Sequence, residues 1–268
     1  MSNIFVLSDI HGRSEYVKNF ILRQNNTISF TKETTLILLG DTGVNYYLNQ
    51  KDDKLKQELE NLPLTFFLIR GNHEERAEVC MAKNPNDWHI ETYFGNDVLV
   101  ENKYPSIKYA MDEPAIYKIP TTTNEKGYLS TLVLPGAYSV DKKHRLANGW
   151  KWFSTEQPTA DERALGLILA HHLNMIGESD LVLSHTCPCA WEPTDLFLSF
   201  IDQSKVDKTT ERWLGQIEFA LNYKAWLWGH YHAFRDYPRE DGKRRTMLFN
   251  NQAIDLNNYM LEEYPRGL

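Results

Sequence analysis

Aspartate, asparagine and histidine residues recur in a fixed order along this sequence of 268 residues. Seven of them could bind metal, namely Asp9, His11, Asp41, Asn72, His185, His230 and His232. The set offers two carboxylates, one amide and four imidazoles, and it contains no thiolate. Such nitrogen and oxygen ligands suit manganese, iron, zinc, cobalt or nickel better than calcium. Asp41 has two carboxylate oxygens and could bridge two ions, so the set predicts a transition-metal site.

Each of these motifs also has an ordinary structural explanation when it is taken alone. Asp-x-His-Gly at residues 9–12 is typical of a turn, and Asn72 after Gly71 is typical of a tight turn because both residues tolerate left-handed geometry. A single His185 often serves only structure, and Gly-His-x-His could be a surface pair. The ordered recurrence of all five motifs favours one shared site over five coincidences.

The elements that must position these residues are short apolar strands. Apolar runs directly precede each motif, at residues 4–7, 35–39, 65–69, 181–183 and 225–228. Runs of this length and composition predict buried strands. Helical patterns lie between them, at residues 13–24, 51–61 and 159–177, the last with Thr159 as its N-cap and Gly177 as its end. Strands that alternate with helices predict an α/β fold with its site at the carboxyl ends of the strands.

The alternation breaks between residues 100 and 135. Residues 107–111, 115–119 and 128–134 predict successive strands joined by turns, and we expect a mostly antiparallel stretch that could extend a second sheet. Residues 136–158 are rich in aromatic side chains and irregular, which predicts a long loop.

Composition limits the classes of function. The length fits one domain over residues 1–268, and the sequence shows no membrane-spanning run and no signal peptide. The net charge of -7 argues against binding to long nucleic acids or anionic membranes. Three cysteines do not form a disulfide framework in a chain this long. We therefore expect a cytoplasmic protein with reduced thiols.

The five motifs together resemble the calcineurin-like metallophosphoesterase superfamily, and the resemblance extends from residue 9 to residue 232. It implies a four-layer α/β/β/α sandwich of two mixed sheets with flanking helices. It also implies two divalent or trivalent transition-metal ions, of which manganese is the first choice. The implied first ion is held by Asp9, His11 and His232, the second by Asn72, His185 and His230, and Asp41 bridges them.

The resemblance further implies a phosphatase or phosphodiesterase. In such an enzyme a hydroxide between the metals attacks phosphorus in line, and His73 is the expected general acid for the leaving group. The expected substrate is a phosphorylated small molecule, a nucleotide or a phosphoprotein. The alternative is a binding module that kept the fold without catalysis, although that alternative predicts lost ligands and every ligand position is retained.

One position departs from the family pattern. Val44 stands where many members carry the aspartate that orients the catalytic histidine. Asn45, Glu74 or another group must orient His73 instead, or its role as an acid is weaker. Substrate contacts are predicted for Arg145, which could clamp a phosphate or lie in a solvated turn, and for Arg70. Residues 150–153 contain Trp150, Trp152 and Phe153, which could stack on a base or pack in the core.

Overall fold

The computed structural model describes residues 3–24, 26–237 and 241–261, and it contains two β-sheets with helices on their outer faces. The strands are β1 (Ile4–Leu7), β2 (Thr35–Leu39), β3 (Thr65–Ile69), β4 (Trp88–Tyr93), β5 (Asn96–Glu101), β6 (Ile107–Ala110), β7 (Ala115–Pro120), β8 (Tyr128–Leu134), β9 (Leu181–Ser184), β10 (Ala225–Trp228), β11 (Arg235–Tyr237), β12 (Arg244–Met247) and β13 (Ile254–Asp255). The helices are α1 (Ser14–Gln24), α2 (Gln50–Glu60), α3 (Ala77–Lys83), α4 (Lys142–Ala147), α5 (Ala160–Met175), α6 (Thr209–Ala220) and α7 (Leu256–Leu261).

Both sheets are mixed, with parallel strands at the centre and antiparallel strands at the edges. The first sheet has the order β13-β1-β2-β3-β6-β5-β4, in which β1, β2, β3 and β6 are parallel. The second has the order β11-β12-β10-β9-β8-β7, in which β12, β10, β9 and β8 are parallel. Of these strands, β1, β2, β3, β9 and β10 are buried at every position, which explains their nearly continuous apolar sequences.

Three apolar layers hold the sheets and helices together. Between the sheets, side chains such as Ile37 and Phe67 of the first sheet share a buried cluster with Leu183 and Leu227 of the second. A second cluster joins the outer face of the first sheet to α1 and α2, and a third joins the second sheet to α5 and α6. The order of layers is helix, sheet, sheet, helix, which confirms the predicted sandwich.

The predicted strands that precede the motifs are all present, and so are the three predicted helices. Thr159 caps α5, and it forms a reciprocal capping box with Glu162. Gly177 follows the helix with a φ of 66°, a left-handed backbone that favours glycine.

Two local predictions need correction. Residues 107–110 form β6, which pairs antiparallel with β5 but parallel with β3, so the predicted antiparallel stretch is divided between the two sheets and only β7 and β8 lie in the second. Residues 136–158 are not a continuous loop, because they contain α4. The edge strand β4 is not apparent in the sequence because His89, Glu91 and Thr92 interrupt its apolar residues.

The predicted single domain over residues 1–268 extends beyond the described residues at both ends. Within the part that the structure describes, none of the helices combines the length and the apolar character that crossing a bilayer requires.

Candidate metal centre and active-site cavity

All seven predicted ligands meet at one edge of the sandwich. Each follows the carboxyl end of a parallel strand, namely β1, β2 and β3 of the first sheet and β9 and β10 of the second. Because the two sheets pack face to face, the loops after these five strands converge between them. The sequence placed these residues at strand ends, and the packing of the two sheets brings the ends together.

The first group of ligands consists of Asp9, His11, Asp41 and His232, whose ligand atoms all lie within 4.8 Å of one another. The Nε2 atoms of His11 and His232 are 2.8 Å apart. The Oδ1 atom of Asp9 lies 3.9 Å from His11 Nε2 and 3.8 Å from His232 Nε2. Four donors that point into so small a volume provide a first site for one ion.

The second group consists of Asp41, His185 and His230, again within 4.8 Å of one another. Asn72 joins it, because its Oδ1 lies 2.9 Å from His185 Nε2. Asp41 belongs to both groups: its Oδ1 is 3.4 Å from His185 Nε2, and its Oδ2 is 4.0 Å from His11 Nε2. The carboxylate of Asp41 therefore turns one oxygen toward each group.

This donor set fits two transition-metal ions. Imidazole, carboxylate and amide ligands match the preferences of manganese, iron, zinc, cobalt and nickel, and the shared carboxylate is a common bridge in two-metal sites. A calcium site would use oxygen ligands throughout, which four histidines do not offer.

The backbone at the ligand positions is strained. Of the seven non-glycine residues with positive φ in the described ranges, five are candidate ligands, with φ between 45° and 74°: Asp9, His11, Asp41, His230 and His232. Left-handed backbone is uncommon outside glycine and costs about 1–3 kcal/mol per residue. Such strain concentrates at functional sites, where the surrounding fold imposes the geometry of the ligands.

The motif glycines are explained by close packing against the carboxylates. A Cβ atom on Gly71 would overlap Asp41 Oδ1, and one on Gly229 would overlap both Ser8 Oγ and Asp9 Oδ2. No larger residue fits at either position without moving a ligand. The glycines therefore belong to the site, although they hold no metal themselves.

A further set of contacts fixes the orientation of the ligands. His185 donates from Nδ1 to the carbonyl of Leu39 at 2.6 Å, which turns its Nε2 toward the site. The amide of Asn72 donates to Ser139 Oγ at 2.9 Å, and Ser139 Oγ donates to Glu156 at 2.5 Å. Ser139 and Glu156 lie outside the five motifs, and the sequence carried no signal for them.

The protonation of the metal-free site follows from burial and from Asp41. Burial raises the pKa of Asp9 to about 7. Burial would also raise the pKa of Asp41, but His73, His185 and His11 hold it well below its usual value. Burial opposes the charge of His185, but Asp41 and Asp9 outweigh it and raise the pKa to about 9.

Two of the histidine ligands, His230 and His232, are neutral in the metal-free protein. Burial lowers the pKa of His230 well below its usual value, and the nearby His185 lowers it further. Burial and the charge of His11 lower the pKa of His232 to about 4. A neutral imidazole is the form that binds metal, so neither histidine must lose a proton to act as a ligand.

His73 is contacted by Arg145, which is a group other than the two that the sequence analysis named. Arg145 NH2 donates to His73 Nε2 at 2.9 Å, and its Nε donates to both oxygens of Asp141 at 2.9 and 2.8 Å. The carboxylate of Glu74 instead accepts hydrogen bonds from the amides of Gly43 and Gly71, at 2.9 Å each. It thereby connects the loop after β2 to the loop after β3. Arg145 thus lies beside His73, and its contact with a substrate remains a prediction.

Arg70 is not brought to the site, and this corrects the predicted substrate contact. Its side chain is 5% exposed, and its Nε donates to Asp112 Oδ1 at 3.0 Å. Its NH1 donates to the carbonyl of Glu156 at 2.8 Å. We therefore assign it a structural role. Val44, in place of the family aspartate, is buried in the apolar layer beneath α1 and α2.

The aromatic residues of the loop before α5 divide between surface and core. Phe153 is buried, whereas Trp150 is 53% exposed. Trp150 lines a cavity of about 190 Å³ beside His11, Tyr46 and Arg145.

A larger cavity opens directly onto the ligands. Its volume is about 240 Å³, and its lining includes Asp41, Asn72, His73, His230 and His232. Most of the rest of its wall comes from the segment between β9 and α6, and other parts come from the loop before α4, from Glu211 on α6 and from Tyr231 after β10. A small phosphate ester can therefore reach both groups of ligands from this cavity.

The sequence profile described as Calcineurin-like phosphoesterase matches residues 2–234. The chain belongs to this family. No curated protein sequence matches it.

Solved structures support the fold of this calcineurin-like phosphoesterase. The protein TT1561 of Thermus thermophilus is 11% identical, with a TM-score of 0.54, and the match covers 96% of each chain. A dimetal phosphatase from Danio rerio is 9% identical, with a TM-score of 0.52, and the match covers 92% of this chain and 87% of that one. At such identities the likeness concerns the fold alone.

Proposed function

We propose that this calcineurin-like phosphoesterase hydrolyses phosphate esters with two transition-metal ions. The observation that carries the proposal is Asp41, which is shared by two groups of ligands on the wall of an open cavity. Asp9, His11 and His232 hold one ion, and Asn72, His185 and His230 hold the other, in a site that fits manganese or a neighbouring transition metal.

The chemistry is divided between the ions and the protein. Two bound ions of this kind supply Lewis acidity and make a coordinated water acidic enough to act as a nucleophile at neutral pH. The protein would position the ions through Asp41 and through the loops after β2 and β3. The ester would enter the cavity beside His73. Arg145 lines the smaller cavity and donates to His73 at the boundary between the two cavities, and we propose that it turns to donate two hydrogen bonds to the bound phosphate.

His73 is the proposed proton donor to the leaving group. Its Nε2 accepts a hydrogen bond from Arg145 in the metal-free protein, so that nitrogen carries no proton there. Burial lowers the pKa of His73, Asp41 favours its protonated form and Arg145 opposes it. When Arg145 turns to a bound phosphate, His73 is released and the phosphate charge favours its protonation. The same movement thus binds the substrate and prepares the acid.

The natural substrate is proposed to be a phosphorylated small molecule, a nucleotide or a phosphoprotein in the cytoplasm. The net charge of -7 disfavours a long nucleic acid as the substrate. All three cysteines, Cys80, Cys187 and Cys189, are free thiols, in keeping with a reducing compartment.

The direct test is hydrolysis of para-nitrophenyl phosphate and of its bis ester by protein loaded with manganese. We expect turnover of at least one ester, its loss after chelation and its return when manganese is added back. The ester preferred by the enzyme then separates phosphatase from phosphodiesterase activity. If metal binds but neither ester is cleaved with any of the five metals, the proposed activity is refuted and the binding module takes its place.

The role of His73 is tested with leaving groups of different quality. We expect His73→Gln to lower kcat about a hundredfold for an alkyl phosphate, whose alkoxide must be protonated as it leaves. The loss should be much smaller for para-nitrophenyl phosphate, whose leaving group is stable as an anion. His171→Gln, an exposed position on α5, is the matched control and should change neither rate. An equal loss for both esters would show that His73 is not the acid.

A further inference from the structure

The wall of the larger cavity opposite the metal ligands has features that the hydrolytic chemistry does not use. It contains the apolar side chains Leu196, Phe197, Ile201 and Val206, all from the segment between β9 and α6. A site that only bound metal and phosphate would not need this apolar surface. Its position beside the ligands places it where the organic half of a phosphate ester must lie.

Two aromatic rings in this wall are nearly parallel. The ring planes of Phe197 and Tyr231 differ by 23°, and their centroids are 6.3 Å apart. The two rings pack against each other and both line the cavity, so a flat group can pack along the aromatic wall that they form. Lys208 lies over the ring of Phe197 with its Nζ 4.9 Å from the centroid, which holds that ring in place.

The cavity also contains a buried carboxylate, and one of its two oxygens has no hydrogen-bond donor among the described residues. Glu211 is 3% exposed, and its Oε1 accepts from Thr186 Oγ1 at 3.3 Å. Its Oε2 has no hydrogen-bond donor in the described part of the chain, and neither has Oε1 of Gln203 in the same cavity. Buried acceptors without a donor are uncommon and costly, so a ligand that brought a donor to Glu211 would remove part of this cost.

Charge further restricts the ligand. The carboxylate of Glu192 is already satisfied by Lys208 Nζ at 2.5 Å and by the hydroxyl of Tyr231 at 3.2 Å. Glu211 adds a second carboxylate to the same cavity. Lys208 balances the charge of Glu192, and burial raises the pKa of Glu211 to about 7, so above that pH the charge of Glu211 disfavours leaving groups that carry another phosphate.

We propose that this wall is a leaving-group subsite for an aromatic ring that carries a hydrogen-bond donor, as the amino-bearing nucleobases do. The inference rests on the proposed function and narrows its substrate to small esters with such a ring. Phe197 and Tyr231 stack on the ring, Glu211 accepts from its donor, and the phosphate lies at the metals.

Binding of phosphonates tests the subsite without any turnover. Calorimetry on the full-length protein loaded with manganese would compare methylphosphonate, benzylphosphonate and 4-aminobenzylphosphonate. We expect benzylphosphonate to bind about tenfold more tightly than methylphosphonate, because its ring is buried. The amino group should add about fivefold through Glu211.

Three variants locate the effect. Phe197→Ala should bring the preference for the ring to within about twofold, and Glu211→Gln should remove only the gain from the amino group. Phe219→Ala, at a 93% exposed position on α6, is the matched control and should leave both preferences unchanged. Trp150→Ala examines the smaller cavity on the other side of His73 and should also have no effect.

The proposal is overturned if wild type binds benzylphosphonate no more tightly than methylphosphonate. It is equally overturned if Trp150→Ala, and not Phe197→Ala, removes the preference. These outcomes are independent of catalysis. If the protein prefers benzylphosphonate but hydrolyses no ester, the proposed function fails while the subsite stands. If it hydrolyses esters but does not prefer benzylphosphonate, the subsite fails while the proposed function stands.

Discussion

Asp41→Asn is expected to lower the turnover of phosphate esters by about a thousandfold or more, the largest effect of any single substitution in the site. Asp41 gives one oxygen to each group of ligands, at 3.4 Å from His185 Nε2 and 4.0 Å from His11 Nε2. An amide offers a single oxygen and no charge, so it cannot bridge two cations in the same way. Metal analysis should show the bound ions falling from two toward one per chain.

The asparagine variant should nevertheless fold. Asp41 Oδ1 accepts from the amides of Asn72 and His73, at 3.1 and 3.0 Å, and an asparagine oxygen can accept the same two bonds. Thermal melts of the metal-free proteins separate loss of function from loss of fold. Asp161→Asn, an exposed position on α5, is the control and should retain two ions and full activity. Retention of both ions and normal turnover by Asp41→Asn would refute the bridge.

Metal affinity is expected to rise steeply with pH, the second large effect. Asp9 and His185 must lose their protons to become ligands, and their pKa values in the metal-free protein are raised to about 7 and about 9. Below each pKa the proton competes with the metal, so affinity falls as the pH falls. The ion held by His185 should bind about tenfold more weakly for each pH unit below about 9. The ion held by Asp9 should show the same dependence below about 7.

Calorimetric titration of the metal-free protein with manganese measures this linkage. Titrations at pH 7 in buffers of different ionisation enthalpy should reveal release of between one and two protons, since His185 is then protonated and Asp9 about half so. His172→Gln, exposed on α5, is the control and should release the same number. Affinities that do not change between pH 6 and 9 would contradict the protonation states assigned to the site.

The ligands could be found from the sequence because they obey local rules. Asp9 and His11 are two residues apart at a strand end, as are His230 and His232, and the buried parallel strands before them have unmistakable apolar runs. A sequence of alternating strands and helices places such residues at one edge of a sheet. The metal site and the α/β layering were therefore both predictable.

The remaining parts of the site depend on contacts between distant residues. Ser139 fixes Asn72 across 67 positions, and Arg145 reaches His73 across 72. No spacing rule links such pairs, since they meet only when the segment between β8 and α5, which contains α4, packs beside the loop after β3. The wall around Glu211 is hidden for the same reason, because Glu211 lies on α6, Phe197 lies between β9 and α6, and Tyr231 follows β10.

The pairing of the sheets was predictable only in part. Residues 107–110 have the apolar character of a strand, but the sequence does not say which neighbour they pair with. The polar hairpin of β4 and β5 pairs on the outer side of β6, and β6 itself pairs with β3 in the first sheet. Sheet order follows from tertiary packing, which a single sequence leaves open.

Anomalous diffraction from crystals of the manganese-loaded protein tests the central claim most directly. The account predicts two manganese peaks, one among Asp9, His11 and His232 and one among Asn72, His185 and His230, with Asp41 between them. A single peak at saturating manganese, or two peaks without Asp41 as a shared ligand, would contradict the dinuclear site on which the proposed chemistry depends.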